Sequence, residues 1–268
     1  MAGRNAHYWA GKEERAKLAK EHVDYMYNEY ILQTRNSARE TKVYDSRIDK
    51  FTRLSRPKNN FQTVVKDTTD GALFKLVQAE AGKVALLNFA SYKNPGGGFL
   101  QGSSAQEESL CMVSNLYNII SGFGQYYEYN NHHLNKGLYT DRALYSPNVI
   151  FIDPSSGDIH KCDVITCAAP NKSLIRYGNF DETENAAALT ERIRFLRDIC
   201  ITEKVNTVIL GAWGCGVFMQ NPGMVATLLF KKFDNTGVNC IYAIPDDKNY
   251  NTFLAVLNYL REKGEINS

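Results

Sequence analysis

The sequence predicts an α/β fold, a three-layer mixed β-sheet between helices, with an N-terminal helical extension. Three observations carry this reading. Two continuous apolar runs of strand length, VALLNFA (84–90) and TVILGAW (207–213), have the composition of strands buried on both faces. Helical patterns alternate with such runs from about residue 61 onward, which argues a mainly parallel or mixed sheet covered by helices. Glycine-rich turns leave both runs at their carboxyl ends, where α/β sheets bind ligands.

Taken in order, residues 12–34 are rich in Glu, Lys, Ala, Leu and Tyr and predict one amphipathic helix. Residues 35–60 are basic, polar and without period, as in a connector. FQTVVK (61–66) predicts a strand, DGALFKLVQAEA (70–81) a short helix and VALLNFA a buried strand. After the first glycine turn a single helix is expected over about 104–120. YYEYNNHHLNKGLY (126–139) reads as a surface loop whose tyrosines suit a lid. NVIFID (148–153) and DVITCAA (163–169) are strands, the second stopped by Pro170. A long helix over 183–202, the strand TVILGAW, a helix near 222–233, the strand CIYAIPD (240–246) and a helix near 250–262 complete the chain.

With 268 residues, 44% of them apolar, the chain can build a full core. A net charge of +2 gives no global basic field for duplex nucleic acid or an anionic membrane. The six cysteines contain no Cys-x-x-Cys pair, and His132-His133 has no cysteine nearby, so no metal and no cofactor are expected. The cysteines read as small buried hydrophobes. The N-terminal residues lack an apolar signal core, and no apolar run approaches the roughly 20 residues of a membrane helix. A soluble, cytoplasmic monomer is the expectation.

Residues 94–110, NPGGGFLQGSSAQEESL, are the richest in chemistry. Gly96, Gly97 and Gly98 are expensive to order and bring backbone N–H groups close to an anion such as phosphate. Neither a Walker A sequence nor a dinucleotide fingerprint is present, and a tight strand-to-helix turn is the plain alternative. Gln106, Glu107 and Glu108 follow after seven residues. Ser104-x-x-Glu107 has capping-box spacing, which gives Glu107 a structural role. Glu108 lies roughly 140° from the apolar stripe of Leu110, Val113, Tyr117 and Ile120, so it is expected to face solvent or a cleft. A helix N-terminus favours carboxylate, so a general acid there needs burial or a nearby anion to raise its pKa. Asn88 and Asn94 flank the loop with amides suited to sugar hydroxyls. The second loop, GAWGCGVFMQNP (211–222), is another phosphate-cradle candidate, and two such loops would clamp a diphosphate. Phe218 is either core or a stacking surface.

The triple glycine, the seven-residue gap and Gln-Glu-Glu together resemble the signature of poly(ADP-ribose) glycohydrolases. LNFASYKNPGGGF (87–99), AQEESLC and GAWGCGVFMQNP are most similar to the compact bacterial-type members, and the resemblance extends over nearly the whole chain. It implies a macrodomain-like fold over residues 61–268, residues 1–60 being the helical extension, with ADP-ribose at the strand ends. It also implies that Glu108 is the catalytic glutamate and Glu107 the residue that positions the scissile ribose. Gly96, Gly97 and Gly98 match the first diphosphate loop, and Gly214, Cys215, Gly216 and Val217 the second. Phe218 matches a residue packed on the distal ribose and Asn94 a ribose-binding asparagine. The implied substrate is ADP-ribose polymer. A mono-ADP-ribosyl-protein hydrolase on the same fold, or a non-catalytic ADP-ribose-binding module, are the competing readings. A module that only binds has no need of the glutamate pair.

Overall fold

The structure, a computed structural model, describes residues 11–47, 49–52, 56–76 and 81–267. The expected N-terminal helix is two helices, α1 (Lys12–Glu29) and α2 (Ile31–Glu40), separated where Tyr30 leaves helical backbone geometry. α2 and strand β1 (Lys42–Asp45) occupy part of the stretch that looks like a connector in sequence. Then come β2 (Gln62–Val65), α3 (Thr69–Lys75) and β3 (Val84–Phe89). The end of the predicted helix, residues 77–80, lies outside the described residues. The chain continues through α4 (Gln106–Met112), α5 (Leu116–Ile120), α6 (Gly124–His132), β4 (Arg142–Ile152) and β5 (Ile159–Cys167). It ends with α7 (Glu182–Thr202), β6 (Thr207–Leu210), α8 (Pro222–Phe233), β7 (Asn239–Ala243) and α9 (Asp247–Glu262).

The strands form a seven-stranded sheet in the order β1-β4-β5-β3-β6-β7-β2. β3 with β6, β6 with β7 and β7 with β2 are parallel, whereas β4 and β5 are antiparallel, so the sheet is mixed as expected. Every residue of β6 and nearly every residue of β3 is buried, which is why both read as unbroken apolar runs. The chain divides into two compact units.

The first unit comprises the chain up to Val43, Asn88–His133 and Ala143–Cys167. Its N-terminal helices are tied to the segment that follows the triple glycine. Arg15 Nε donates to Gly102 O at 2.7 Å, Asn118 Nδ2 to Val23 O at 3.0 Å and Asn115 Nδ2 to Thr34 Oγ1 at 2.8 Å. The single helix expected over 104–120 is broken into α4 and α5. Ser114 Oγ bonds back to Leu110 O at 2.6 Å, and the chain turns to pair with β4. There Asn115 N donates to Ile150 O at 3.1 Å and Ile152 N to Val113 O at 2.8 Å. β4 backbone groups outcompete the helix for residues 113–115, an influence invisible to local periodicity. The expected loop at 126–139 is also corrected. Its first part is α6, which buries Tyr126, Tyr127 and Asn130.

The second unit comprises Tyr44–Leu87, Leu134–Arg142 and the chain from Ala168 onward. Its helices start on signals written in the sequence. α7 carries a capping box between Asp181 and Glu184, and α8 begins with Pro222 after Asn221, whose Oδ1 accepts from Met224 N at 3.0 Å. Arg192 is 1% exposed, and its charge is met by Asp141, Ala168 O at 2.5 Å and Leu138 O at 3.0 Å. These bonds compensate burial of a guanidinium that would otherwise be strongly unfavourable.

Candidate active site

The first glycine turn is held at both ends by α4. Phe89 N, at the end of β3, donates to Gln106 Oε1 at 2.8 Å, which commits that side-chain oxygen to the backbone. Between them the chain makes consecutive tight turns, Gly97 N to Asn94 O at 3.1 Å and Phe99 N to Gly96 O at 3.0 Å. Gly97 has φ +60°, and a Cβ there would lie 2.6 Å from Glu108 Oε1 and 3.1 Å from Glu107 Oε2. Glycine is therefore demanded by backbone geometry and by two carboxyl groups at once. The same distances show that both carboxyl groups reach this one turn.

The two glutamates sit in the first turn of α4 and are 3% and 6% exposed. Their environments differ. Glu107 Oε1 accepts from Asn88 Nδ2 at 3.1 Å and Oε2 from Ser91 N at 2.6 Å. The helix N-cap is Ala105 without a side-chain cap, so the expected Ser104–Glu107 capping box does not form. Burial pushes the Glu107 carboxyl up to about 8; the donors at Ser91, Asn88 and Gly96 oppose the rise, and the Glu108 charge adds to it. A proton is thus retained in this cluster at neutral pH. Glu108 is not solvent-facing. Its Oε1 accepts from Gly98 N at 2.8 Å, while Oε2 is buried with no partner among the described residues.

Asn88 is fully buried; besides Glu107 its Nδ2 reaches Thr166 Oγ1 at 3.3 Å, and its Oδ1 has no partner among the described residues. Asn94 is exposed, with its backbone N donating to Ser91 Oγ at 3.2 Å. Ser91 and Thr166 were missed in sequence. One acts through its backbone N–H and hydroxyl, the other from β5, far along the chain, and neither carries a local motif.

The second loop belongs to the second unit. Gly214 has φ +75°, and a Cβ there would strike Ala169 Cβ at 2.8 Å. Gly216 has no atom within 4 Å of such a Cβ, so the fold itself does not require glycine at this position. Burial, followed by the Asp246 charge, holds the Cys215 thiol up at about 12, so it is a neutral thiol and no thiolate nucleophile. Val217 is 81% exposed. Phe218 is half-buried; its ring is 6.2 Å from that of Tyr139, and its carbonyl accepts from Ser173 N at 3.2 Å. Cys111, Cys162, Cys167, Cys200 and Cys240 are buried free thiols. Among the described residues no helix is long and apolar enough to cross a membrane.

A family described as microbial-type PARG, catalytic domain, matches residues 5–153, more than half of the chain. Among curated proteins none matches. Solved structures do. Poly(ADP-ribose) glycohydrolase from Thermomonospora curvata is similar with a TM-score of 0.83 and 26% identity, over 91% of this chain and 99% of that one. The structure of that enzyme bound to the inhibitor ADP-HPD gives 0.78 at the same identity and coverage. The Deinococcus radiodurans enzyme in complex with ADP-ribose gives 0.73 at 26% identity, over 85% of this chain and 97% of that one.

Proposed function

The chain belongs to the microbial-type poly(ADP-ribose) glycohydrolases, and on that premise we propose how its residues cut the ribose–ribose O-glycosidic bond to release ADP-ribose. The observation that carries the assignment of roles is the asymmetry of the carboxyl pair. Both oxygens of Glu107 are engaged by N–H donors, whereas Glu108 Oε2 has no partner among the described residues. Only Glu108 therefore has an oxygen with which to pass a proton to substrate.

In this reading Glu108 protonates the departing ribose oxygen as the C–O bond breaks, leaving an oxocarbenium-like distal ribose. As carboxylate it then accepts a proton from the water that attacks the anomeric carbon. Glu107 stays fixed and orients the scissile ribose together with Asn88 and Asn94. The backbone of Gly96, Gly97 and Gly98 approaches the diphosphate, since no side chain stands between them. Gly214, Cys215, Gly216 and Val217 are assigned to diphosphate binding and Phe218 to the distal ribose. Positioning supplies much of the acceleration.

The Thermomonospora enzyme binds ADP-HPD and the Deinococcus enzyme ADP-ribose, which supports an ADP-ribose ligand here. The test is to incubate the protein separately with poly(ADP-ribose) and with mono-ADP-ribosylated protein and to identify the products. Free ADP-ribose from the polymer is expected. Release only from the mono-modified protein would transfer the same chemistry to a different substrate.

A further inference from the structure

Tyr127 is 4% exposed, and its hydroxyl has no hydrogen-bond partner among the described residues. Leaving such a group unsatisfied costs about 1–3 kcal/mol, so it calls for an explanation. Its helix lies against the first glycine turn. Asn130 Nδ2 donates to Tyr92 O at 3.0 Å, Asn131 Nδ2 to Lys93 O at 3.3 Å, and Tyr92 Oη to His133 O at 3.0 Å. Tyr127 precedes the fully buried Asn130 by three residues, one turn along the same face of α6. A Cβ on Gly96 would meet Tyr117 at 2.7 Å and Cys111 at 3.5 Å, which places these side chains beside the turn. Burial, then the Glu107 charge, then Tyr126, Cys111 and Tyr117 hold the Tyr127 phenol well above its usual value. The hydroxyl thus stays neutral, able both to donate and to accept. Three other buried polar atoms of this unit lack partners among the described residues, Asn88 Oδ1, Glu108 Oε2 and Asn118 Oδ1, and the first two belong to the carboxyl cluster.

We propose that Tyr127 is a further substrate-binding residue, its hydroxyl meeting a hydroxyl of the ribose that Glu107 and Asn88 orient. A neutral phenol both donates and accepts, as a ribose hydroxyl does, and its ring carries few rotatable bonds. The assignment rests on the proposed function.

The test is Tyr127→Phe, with thermal stability, polymer kcat/KM and ADP-ribose Kd measured on both proteins. Removing an unsatisfied hydroxyl leaves the melting temperature unchanged or raises it. Against that unchanged fold, kcat/KM is expected to fall about tenfold and ADP-ribose to bind about tenfold more weakly, the size of one lost hydrogen bond. Wild-type kinetics and affinity in the variant would overturn the proposal. A wild-type protein inert on polymer would instead overturn the functional reading, and the ADP-ribose affinities would still decide the role of Tyr127.

Discussion

Gly98 N donates to Glu108 Oε1 at 2.8 Å, and Oε2 of the same carboxyl is buried without a partner among the described residues. In the proposed mechanism the triple glycine therefore also aims the acid. One oxygen is fixed by a backbone donor, so the direction of the other is set before substrate arrives, and no reorganisation is needed during the reaction.

Glu108→Gln keeps an amide oxygen for the Gly98 bond and removes the proton donor. Turnover of purified polymer should fall about 100- to 10,000-fold, the usual contribution of a general acid/base. ADP-ribose affinity by calorimetry should survive, because the glycine backbones are untouched. Substantial residual hydrolysis would remove Glu108 from the mechanism.

Glu107 provides a pH signature. Its carboxyl is held up to about 8 in the folded protein, chiefly by burial, against about 4.3 when exposed. Between these values the folded state retains a proton that the unfolded chain has lost. This contribution is complete below about pH 4 and is lost as pH rises through about 8. Glu107→Gln abolishes it. Melting temperatures measured between about pH 5 and 9 should fall more steeply in wild type than in the variant, and parallel curves would contradict the assignment.

Much of the sheet was legible because β3 and β6 are buried on both faces, so their sequences carry little but apolar residues. Sequence pattern misled where a distant partner decided the local outcome. The periodicity of residues 104–120 suggests one helix, yet Asn115 bonds to Ile150 on β4 and breaks it. Ser104 and Glu107 have capping-box spacing, yet the carboxyl turns inward to Ser91 and Asn88. The polar, aromatic composition after Gly124 hid α6, because Tyr127 and Asn130 face inward while Glu128 and His132 are exposed. The sequence exposed the carboxyl pair but not the difference between its members, which depends on hydrogen bonds and burial.

Two glycine substitutions separate fold from ligand. Gly97→Ala places a Cβ 2.6 Å from Glu108 Oε1 at φ +60°. It should cost about 1–3 kcal/mol of stability and displace the carboxyl group, with most activity lost. Gly216→Ala meets nothing within 4 Å and no positive φ, so its stability should stay within about 0.5 kcal/mol of wild type. Any loss of ADP-ribose affinity in Gly216→Ala then reports backbone approach to the ligand. Denaturant unfolding and calorimetry read the two quantities separately, and an equally destabilised Gly216→Ala would refute this division.

The product itself offers the last test. ADP-ribose binds the folded state alone, so it should raise the melting temperature as its concentration increases. At about 100 times its Kd the gain is about 2.7 kcal/mol, equivalent to about 5–10 °C for a chain of this size. AMP lacks the second phosphate and the distal ribose. Glu107 and Asn88 are assigned to the missing ribose, and Gly96 and Gly97 to a diphosphate of which AMP keeps only one phosphate, so AMP at the same concentration should shift the transition far less. ADP should fall between them, because it restores the diphosphate but not the ribose. Tyr127→Phe and Glu107→Ala should reduce the advantage of ADP-ribose over ADP while leaving the ADP shift nearly unchanged, since both residues are assigned to the sugar. A shift with AMP as large as that with ADP-ribose would show that the adenosine portion alone drives binding, and would remove the carboxyl cluster and its glycine turn from the ligand site.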